Sequence, residues 1–281
     1  MQENDKSMTR LFFEKYDATG NDFILIRVDS IEDLGQLNLL VKELCDRHFG
    51  VGGDGVLFWM PQSDHDVFMR IFNSDGQEAD MCGNGARAVI DSFVHSLKVV
   101  PNNEYQVSLK TRVGTFSVKY QKRKISLSMP LTEIPREFPL TELPLEALPK
   151  MPQHIYYTKV GVPHLFLLFD SIEHFFDFKI DASSLPLRHH SIFPSGTNVN
   201  YVVPKTTNEY CLRTFERGVE GETLSCGTGV LSWGAVLYHF KNQKTPVVIH
   251  TKGGIVQVHG SEGQIQYSGE VRKVFEGIYF F

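Results

Sequence analysis

The sequence predicts an α+β fold of two pseudo-symmetric domains, each a mostly antiparallel sheet wrapped around a central helix, with the working site in the cleft between them. Three observations carry this. A C-G-x-G turn occurs twice, in "ADMCGNGARA" (79–88) and "LSCGTGVLSW" (224–233), about half the chain apart. Each turn follows a strand-like run and an acidic loop, and each opens a helix-like run. The remaining apolar residues fall mostly into short segments with alternating character, the period of strands that have one wet face.

Taken in order, the first half offers strand signals at "NDFILIRV" (21–28), "DVFMRIFN" (66–73), "QVSLKTR" (106–112), "GTFSVKY" (114–120) and "KISLSM" (124–129). The last two are separated by a short polar turn, which favours antiparallel pairing. In "GARAVIDSFVHSLK" the residues Ala86, Val89, Ile90, Phe93, Val94 and Leu97 recur at helical spacing and make one buried stripe. The segment 130–152 carries prolines at 130, 135, 139, 144, 149 and 152. Proline fixes φ and removes a donor, so this stretch holds neither a long helix nor a central strand and reads as the crossing between domains. Strand signals resume at "IYYTKV" (155–160), "HLFLLF" (164–169), "NVNYVV" (198–203), "EYCLRTFE" (209–216), "PVVIHT" (246–251) and "GIVQVH" (254–259). The run "GVLSWGAVLYHF" is apolar almost all round and predicts an enclosed helix. The expected domains are 1–128, completed by a C-terminal strand at 271–281, and 129–270.

Composition narrows the function. With 42% hydrophobic and 22% charged residues the 281-residue chain has an ordinary globular balance. The net charge of −5 supplies no basic field for nucleic acid or an anionic membrane, which leaves a small molecule as the expected partner. The apolar run 224–238 is shorter than the roughly 20 residues that span a bilayer. The polar start "MQENDKSMTR" lacks the apolar segment of a secretory signal, and four cysteines do not make a disulfide framework, so a reducing cytoplasm is expected. Cys45, in a helix-like run, and Cys211, on a strand, read as packing residues. The C-terminal "VFEGIYFF" could support a homodimer.

Cys82 and Cys226 read differently. A helix start presents free N–H groups and a partial positive charge, which stabilise a thiolate and bind a carboxylate. Such a cysteine is expected to have its pKa lowered below about 8.5. Two of them facing one small anion suit inversion at the carbon next to a carboxylate: one thiolate removes the α-proton, and the opposite thiol delivers a proton to the other face. No cofactor and no metal is demanded.

Competing readings have weaker support. "GVGGDG" (50–55) and "GNGARA" (83–88) match dinucleotide-binding fingerprints, but the first follows a helix-like run and leads into a strand, the reverse of the required order. A thiol hydrolase pairing Cys226 with His164 leaves the second cysteine unexplained. Zinc is disfavoured because ligand spacings such as C-x-x-C are missing. A non-catalytic binding module stays open.

Together, "ATGNDFILI" (18–26), "CDRHFGVGGDGVLF" (45–58), "RIFNSDGQEADMCGNGARA" (70–88), "GVPH" (161–164), "GTNVNYV" (196–202) and "FERGVEGETLSCGTG" (215–229) make the chain resemble the diaminopimelate epimerase family along almost its whole length. That resemblance implies cofactor-independent interconversion of LL- and meso-diaminopimelate, a step of lysine and peptidoglycan synthesis. It implies that Cys82 and Cys226 are the acid/base pair, assisted by His164 and Glu216. Gly83, Asn84, Gly227 and Thr228 would hold the reacting carboxylate, while Asn21, Asn73, Asn198 and Arg217 would contact the substrate, Arg217 at its distal carboxylate. Two departures bear on specificity: Val162 stands where the family usually has asparagine, and Gly55 where many members have glutamine. Weaker distal recognition predicts some racemase activity on a smaller acidic amino acid such as glutamate.

Overall fold

A computed structural model describes residues 10–30, 37–97, 104–121, 124–131, 133–146, 148, 150–243, 246–261 and 263–281. Most of the polar N-terminal stretch (1–9), Lys98 of the first helical run and Pro149 of the proline-rich segment lie outside them.

In chain order the first half comprises β1 (Arg10–Ala18), β2 (Asn21–Arg27), α1 (Leu37–Cys45), β3 (Gly55–Pro61), β4 (Asp66–Asn73), β5 (Glu78–Ala79), α2 (Gly83–Ser96), β6 (Tyr105–Thr111), β7 (Gly114–Gln121) and β8 (Lys124–Pro130). There follow β9 (Arg136–Phe138), β10 (His154–Val160), β11 (Val162–Leu168), α3 (Asp181–Arg188), β12 (Asn198–Thr206), β13 (Glu209–Glu216), β14 (Gly221–Thr223), α4 (Gly227–Lys241), β15 (Val247–Thr251), β16 (Gly254–Ser261), β17 (Gln264–Gly269) and β18 (Arg272–Phe280).

The strand pairings repeat. From β1 to β4 the neighbours run antiparallel, parallel and antiparallel; from β10 to β13 they do the same. β4 then pairs antiparallel with β5 and parallel with β6, as β13 does with β14 and β15. Both hairpins turn on a left-handed glycine, Gly20 at φ 81° and Gly161 at φ 79°, a conformation that a Cβ disfavours. Even one ion pair is duplicated. Arg70 and Arg213, each fifth in its strand, fork onto Glu78 and Glu222 with both contacts of each pair at 2.9 Å or less.

The halves are stitched where β8 pairs antiparallel with β17. The last strand, β18, pairs with β1 at the start of the chain, whereas β9, from the proline-rich crossing, pairs with β10. The crossing therefore does contribute a strand, but one of three residues bonded to a single neighbour, which its prolines permit.

Helices α2 and α4 each pack inside their own half of one continuous 18-stranded sheet, and residues Gly83 to Val94 of α2 are all buried. Their apolar faces merge into one core through Leu57, Val89, Phe93, Leu127, Val230, Trp233 and Tyr267. Smaller clusters lie on the other faces of the sheets, one under α1 and one under α3. Among the described residues no helix is long and apolar enough to cross a membrane. Order along the chain also runs against a dinucleotide turn, because the glycines at 50–55 follow α1 and lead into β3.

Candidate active site

Cys82 immediately precedes α2 and Cys226 immediately precedes α4, both in extended backbone that turns into the helix. Helical bonding begins at Ala86 N–H to the Cys82 carbonyl and at Val230 N–H to the Cys226 carbonyl, so the earlier N–H groups of each first turn have no intrahelical acceptor. The two helix starts abut: a Cβ on Gly227 would lie 3.5 Å from Asn84 Oδ1 and 3.7 Å from Gly83 Cα. They open on one cavity of about 540 Å³ that both cysteines line. All four cysteines are free thiols.

Nine of the twelve residues expected at the site line this cavity: Asn21, Asn73, Cys82, Gly83, Asn84, Glu216, Cys226, Gly227 and Thr228. Asn21 is fixed by Nδ2 donating to Asp54 Oδ2 at 2.7 Å, which leaves Oδ1 facing Cys82 Sγ at 3.9 Å. Cys82 Sγ accepts from Gly85 N–H at 3.5 Å. Across the cavity, Glu216 accepts from Thr223 Oγ1 at 2.8 Å, and its charge acts on the Cys226 thiol.

His164, Asn198 and Arg217 do not line the cavity, the first two being buried and Arg217 half-buried. The Asn198 Nδ2 donates to the Pro163 carbonyl, and its Oδ1 accepts from Arg217 N–H, while the Arg217 guanidinium donates to the Ser195 carbonyl at 2.9 Å. His164 is fully buried, with Nδ1 3.1 Å from Asn200 Nδ2 and Nε2 3.0 Å from Thr228 Oγ1. The amide oxygen of Asn200 is taken by Thr214 Oγ1, and its nitrogen also donates to the Leu165 carbonyl. Nδ1 of His164 must therefore accept, Nε2–H must donate to Thr228, and the Thr228 hydroxyl proton is left for Cys226 Sγ at 3.4 Å.

Burial sets the electrostatics. Desolvation pushes both thiols above the ordinary cysteine value, and the charge of Glu216 adds to this. At Cys82 the N–H groups of Gly85 and Asn84 and the positive charge of Arg87 pull the other way. The expectation that the helix starts lower both thiols is thus reversed, because depth outweighs the helix end. Glu216 is likewise raised by burial, and burial lowers His164 to about 3, so its ring is neutral.

Sequence reading missed Arg47, Asp54 and Thr223, which also line the cavity. Arg47 and Asp54 lie inside a motif already singled out; their placement depends on an ion-pair chain from Asp22 through Arg47 to Asp54. A Cβ at Gly55 would meet the Phe72 carbonyl at 2.6 Å, so a larger residue there requires β4 to move. Among the described residues no cluster of His, Cys, Asp and Glu is arranged to hold a metal.

The profile of diaminopimelate epimerase matches residues 13–130 and 156–274, one segment for each cysteine. The chain is 34% identical to diaminopimelate epimerase of Archaeoglobus fulgidus, across 96% of each chain. To that of Campylobacter jejuni it is 33% identical, across 96% of this chain and 99% of the relative. Among solved structures, a phenazine biosynthesis protein of the PhzF family from Enterococcus faecalis superposes with TM-score 0.74 at 16% identity, covering 97% and 100% of the two chains. A hydroxyproline epimerase from Agrobacterium vitis superposes with TM-score 0.64 at 15% identity, covering 100% and 94%. These last two likenesses establish the two-part α+β fold.

Proposed function

The chain belongs to the diaminopimelate epimerase family and is an isomerase; on that premise we propose that it interconverts LL- and meso-diaminopimelate with Cys82 and Cys226 as the proton-transferring pair. The reaction serves lysine and peptidoglycan synthesis in a reducing cytoplasm, where paired thiols stay free. The observation that carries the reading is the meeting of two cysteine-capped helix starts on one cavity.

In this reading the α-carboxylate rests on the N–H groups of Gly83, Asn84, Gly227 and Thr228, which also stabilise charge as it spreads into the carboxylate during deprotonation. The cysteine that is a thiolate removes the α-proton; the opposite thiol protonates the other face, and the roles exchange in reverse. Glu216 takes the Cys226 hydrogen, and His164 acts through Thr228. Because burial raises both thiols, the α-ammonium of the substrate supplies the positive charge that favours a thiolate in the occupied site. Asn21 and Asn73 contact the substrate, and Arg217 leaves the Ser195 carbonyl to meet the distal carboxylate as Asn198 holds its backbone.

Val162 favours a second activity. It occupies the position in β11 that Asn21 occupies in β2, and it offers no amide to the distal end of diaminopimelate. Slow racemisation of glutamate follows from that loss of discrimination. Incubating the reduced protein with LL-diaminopimelate and separately with L-glutamate, then separating stereoisomers, tests both. Formation of meso-diaminopimelate is expected, with D-glutamate at a much lower rate; recovery of unchanged LL-isomer overturns the proposal.

A further inference from the structure

Two amides line the cavity, Asn21 on β2 and Asn84 on α2. Turned one way a primary amide offers an acceptor, and turned the other way it offers two N–H donors. Here the two form a ladder. The Tyr267 hydroxyl lies 2.7 Å from Asn84 Oδ1, Asn84 Nδ2 lies 3.5 Å from Asn21 Oδ1, and Asn21 Nδ2 donates to Asp54 Oδ2 at 2.7 Å. The same Asn21 oxygen faces Cys82 Sγ at 3.9 Å. A hydroxyl both donates and accepts, so Tyr267 serves either end of an amide and leaves the direction of the ladder open. A carboxylate only accepts. Asp54 therefore selects the Nδ2 of Asn21 and turns its Oδ1 toward the cysteine, and Asn84 follows.

Asp54 is held from every side. Its Oδ2 also accepts from Asp22 N–H at 3.2 Å, and its Oδ1 accepts from Arg47 Nη2 at 2.9 Å. Its backbone N–H donates to the Asp22 carbonyl, and its own carbonyl accepts from Ser74 N–H. Arg47 is anchored in turn by a fork onto Asp22 at 3.0 and 2.7 Å. The buried Lys15 meets Asp22 at 2.6 Å and donates to the Gly52 carbonyl as well. Burial would raise Asp22, yet Arg47 and Lys15 hold it at about 2, so its carboxylate stays charged as the anchor of Arg47. The second half lacks the arrangement as a unit. By strand register Phe23 beside Gly55 corresponds to His164 beside Asn198, which puts Val162 in the place of Asn21 and Thr197 in that of Asp54. Where the amide is missing the carboxylate is missing too, and the Thr197 hydroxyl donates to the Asn198 carbonyl.

We propose that Asp54 is a positioning residue for the amide ladder, fixing Asn21 so that an acceptor oxygen, and not an NH2 group, meets the substrate beside Cys82. This rests on the two-cysteine reading and adds to it the polarity of one wall: an N–H of the substrate is received there, and a reversed ladder would set donor against donor. Arg47 holds the carboxylate, and Asp22 with Lys15 holds Arg47.

The test is Asp54→Asn, which keeps the size of the side chain but serves either end of an amide and so removes the choice. Side-chain 1H–15N signals are followed by NMR in reduced protein without substrate and assigned with Asn21→Ala and Asn84→Ala. In wild type one Asn21 side-chain proton resonates downfield of a solvated amide, as a bond to a carboxylate requires; in Asp54→Asn the Asn21 and Asn84 pairs both shift. With LL-diaminopimelate, kcat/KM falls about 10–100-fold in Asp54→Asn, the effect of one lost hydrogen bond to a charged group. The same change made in Asn21→Ala costs less than about twofold, because the residue through which Asp54 acts has gone. A merely structural role lowers activity alike in both backgrounds and leaves the Asn84 signals in place. Unmoved amide signals in folded Asp54→Asn, or equal losses in the two backgrounds, overturn the proposal. Should Asp54→Asn not fold, a wild-type Asn21 pair at the shifts of a solvated amide overturns it by itself. The expected signals with no turnover of diaminopimelate would overturn the epimerase reading and leave the direction of the ladder standing.

Discussion

Set side by side, the two halves share a backbone plan and differ at the residues around the two helix-start cysteines. Strand pairings, left-handed turn glycines, helix starts and the Arg70–Glu78 and Arg213–Glu222 forks all repeat. Around the cysteines the pairs diverge: Asn21 against Val162, Asn73 against Glu216, Asn84 against Thr228, Arg87 against Leu231. Behind α4 lie His164 and Asn200, where α2 has Phe23 and Leu57. In the proposed reaction a duplicated frame provides the geometry of inversion, two equivalent groups for opposite faces of one carbon. Identical surroundings would leave two like thiols competing for one charge. Divergence at a few positions removes that tie.

The comparison can be broken most sharply at the cysteines. Cys82→Ala and Cys226→Ala should each lower epimerisation by at least the 10²–10⁴-fold typical of a lost acid or base (an order-of-magnitude range), measured as conversion of LL- to meso-diaminopimelate. A dispensable cysteine would show that only one half does chemistry. Next, Glu216→Gln keeps the side chain's size and removes its charge; a fall in kcat of about 10–100-fold is expected from losing a charged hydrogen-bond acceptor in the cavity. Asn73→Asp, the reciprocal change, should slow the enzyme by raising Cys82.

His164 sharpens the difference behind the helices. Burial depresses its folded value from 6.5 to about 3, so the native state stays unprotonated while the unfolded chain gains a proton as pH falls below 6.5. The stability this group contributes is therefore present above 6.5 and is lost as pH falls toward about 3, amounting to about 2 kcal/mol of loss by about pH 5. Denaturation of wild type and His164→Asn at both ends of that window should show a shallower pH slope in the variant. The smallest effect is expected at the outer position: Val162→Asn should lower KM for diaminopimelate about 2–10-fold, the range of one hydrogen bond, and shift the ratio of rates against glutamate.

Much of the frame was legible before any coordinates, because C-G-x-G turns, alternating strands and the proline-rich crossing are local signals. α3 was not, since Pro186 interrupts its pattern and its helix is held by packing over Ile180, Leu187 and Tyr201. The candidate cavity was legible as motifs but not in depth. A helix start predicts an acidic thiol; only burial shows that desolvation wins at Cys82 and Cys226. His164 could be picked from "GVPH", whereas its bond to Thr228 depends on Asn200 and Thr214 from neighbouring strands.

The central claim, that the two halves act on opposite faces of one carbon, is tested most directly by running the reaction in deuterated water and analysing both isomers by NMR and mass spectrometry at early conversion. Two separate thiols predict meso-diaminopimelate carrying solvent deuterium at the inverted carbon from the first turnovers, with recovered LL-isomer unlabelled. Product that retains its original hydrogen would mean one group removes and returns the same proton, and would contradict the account.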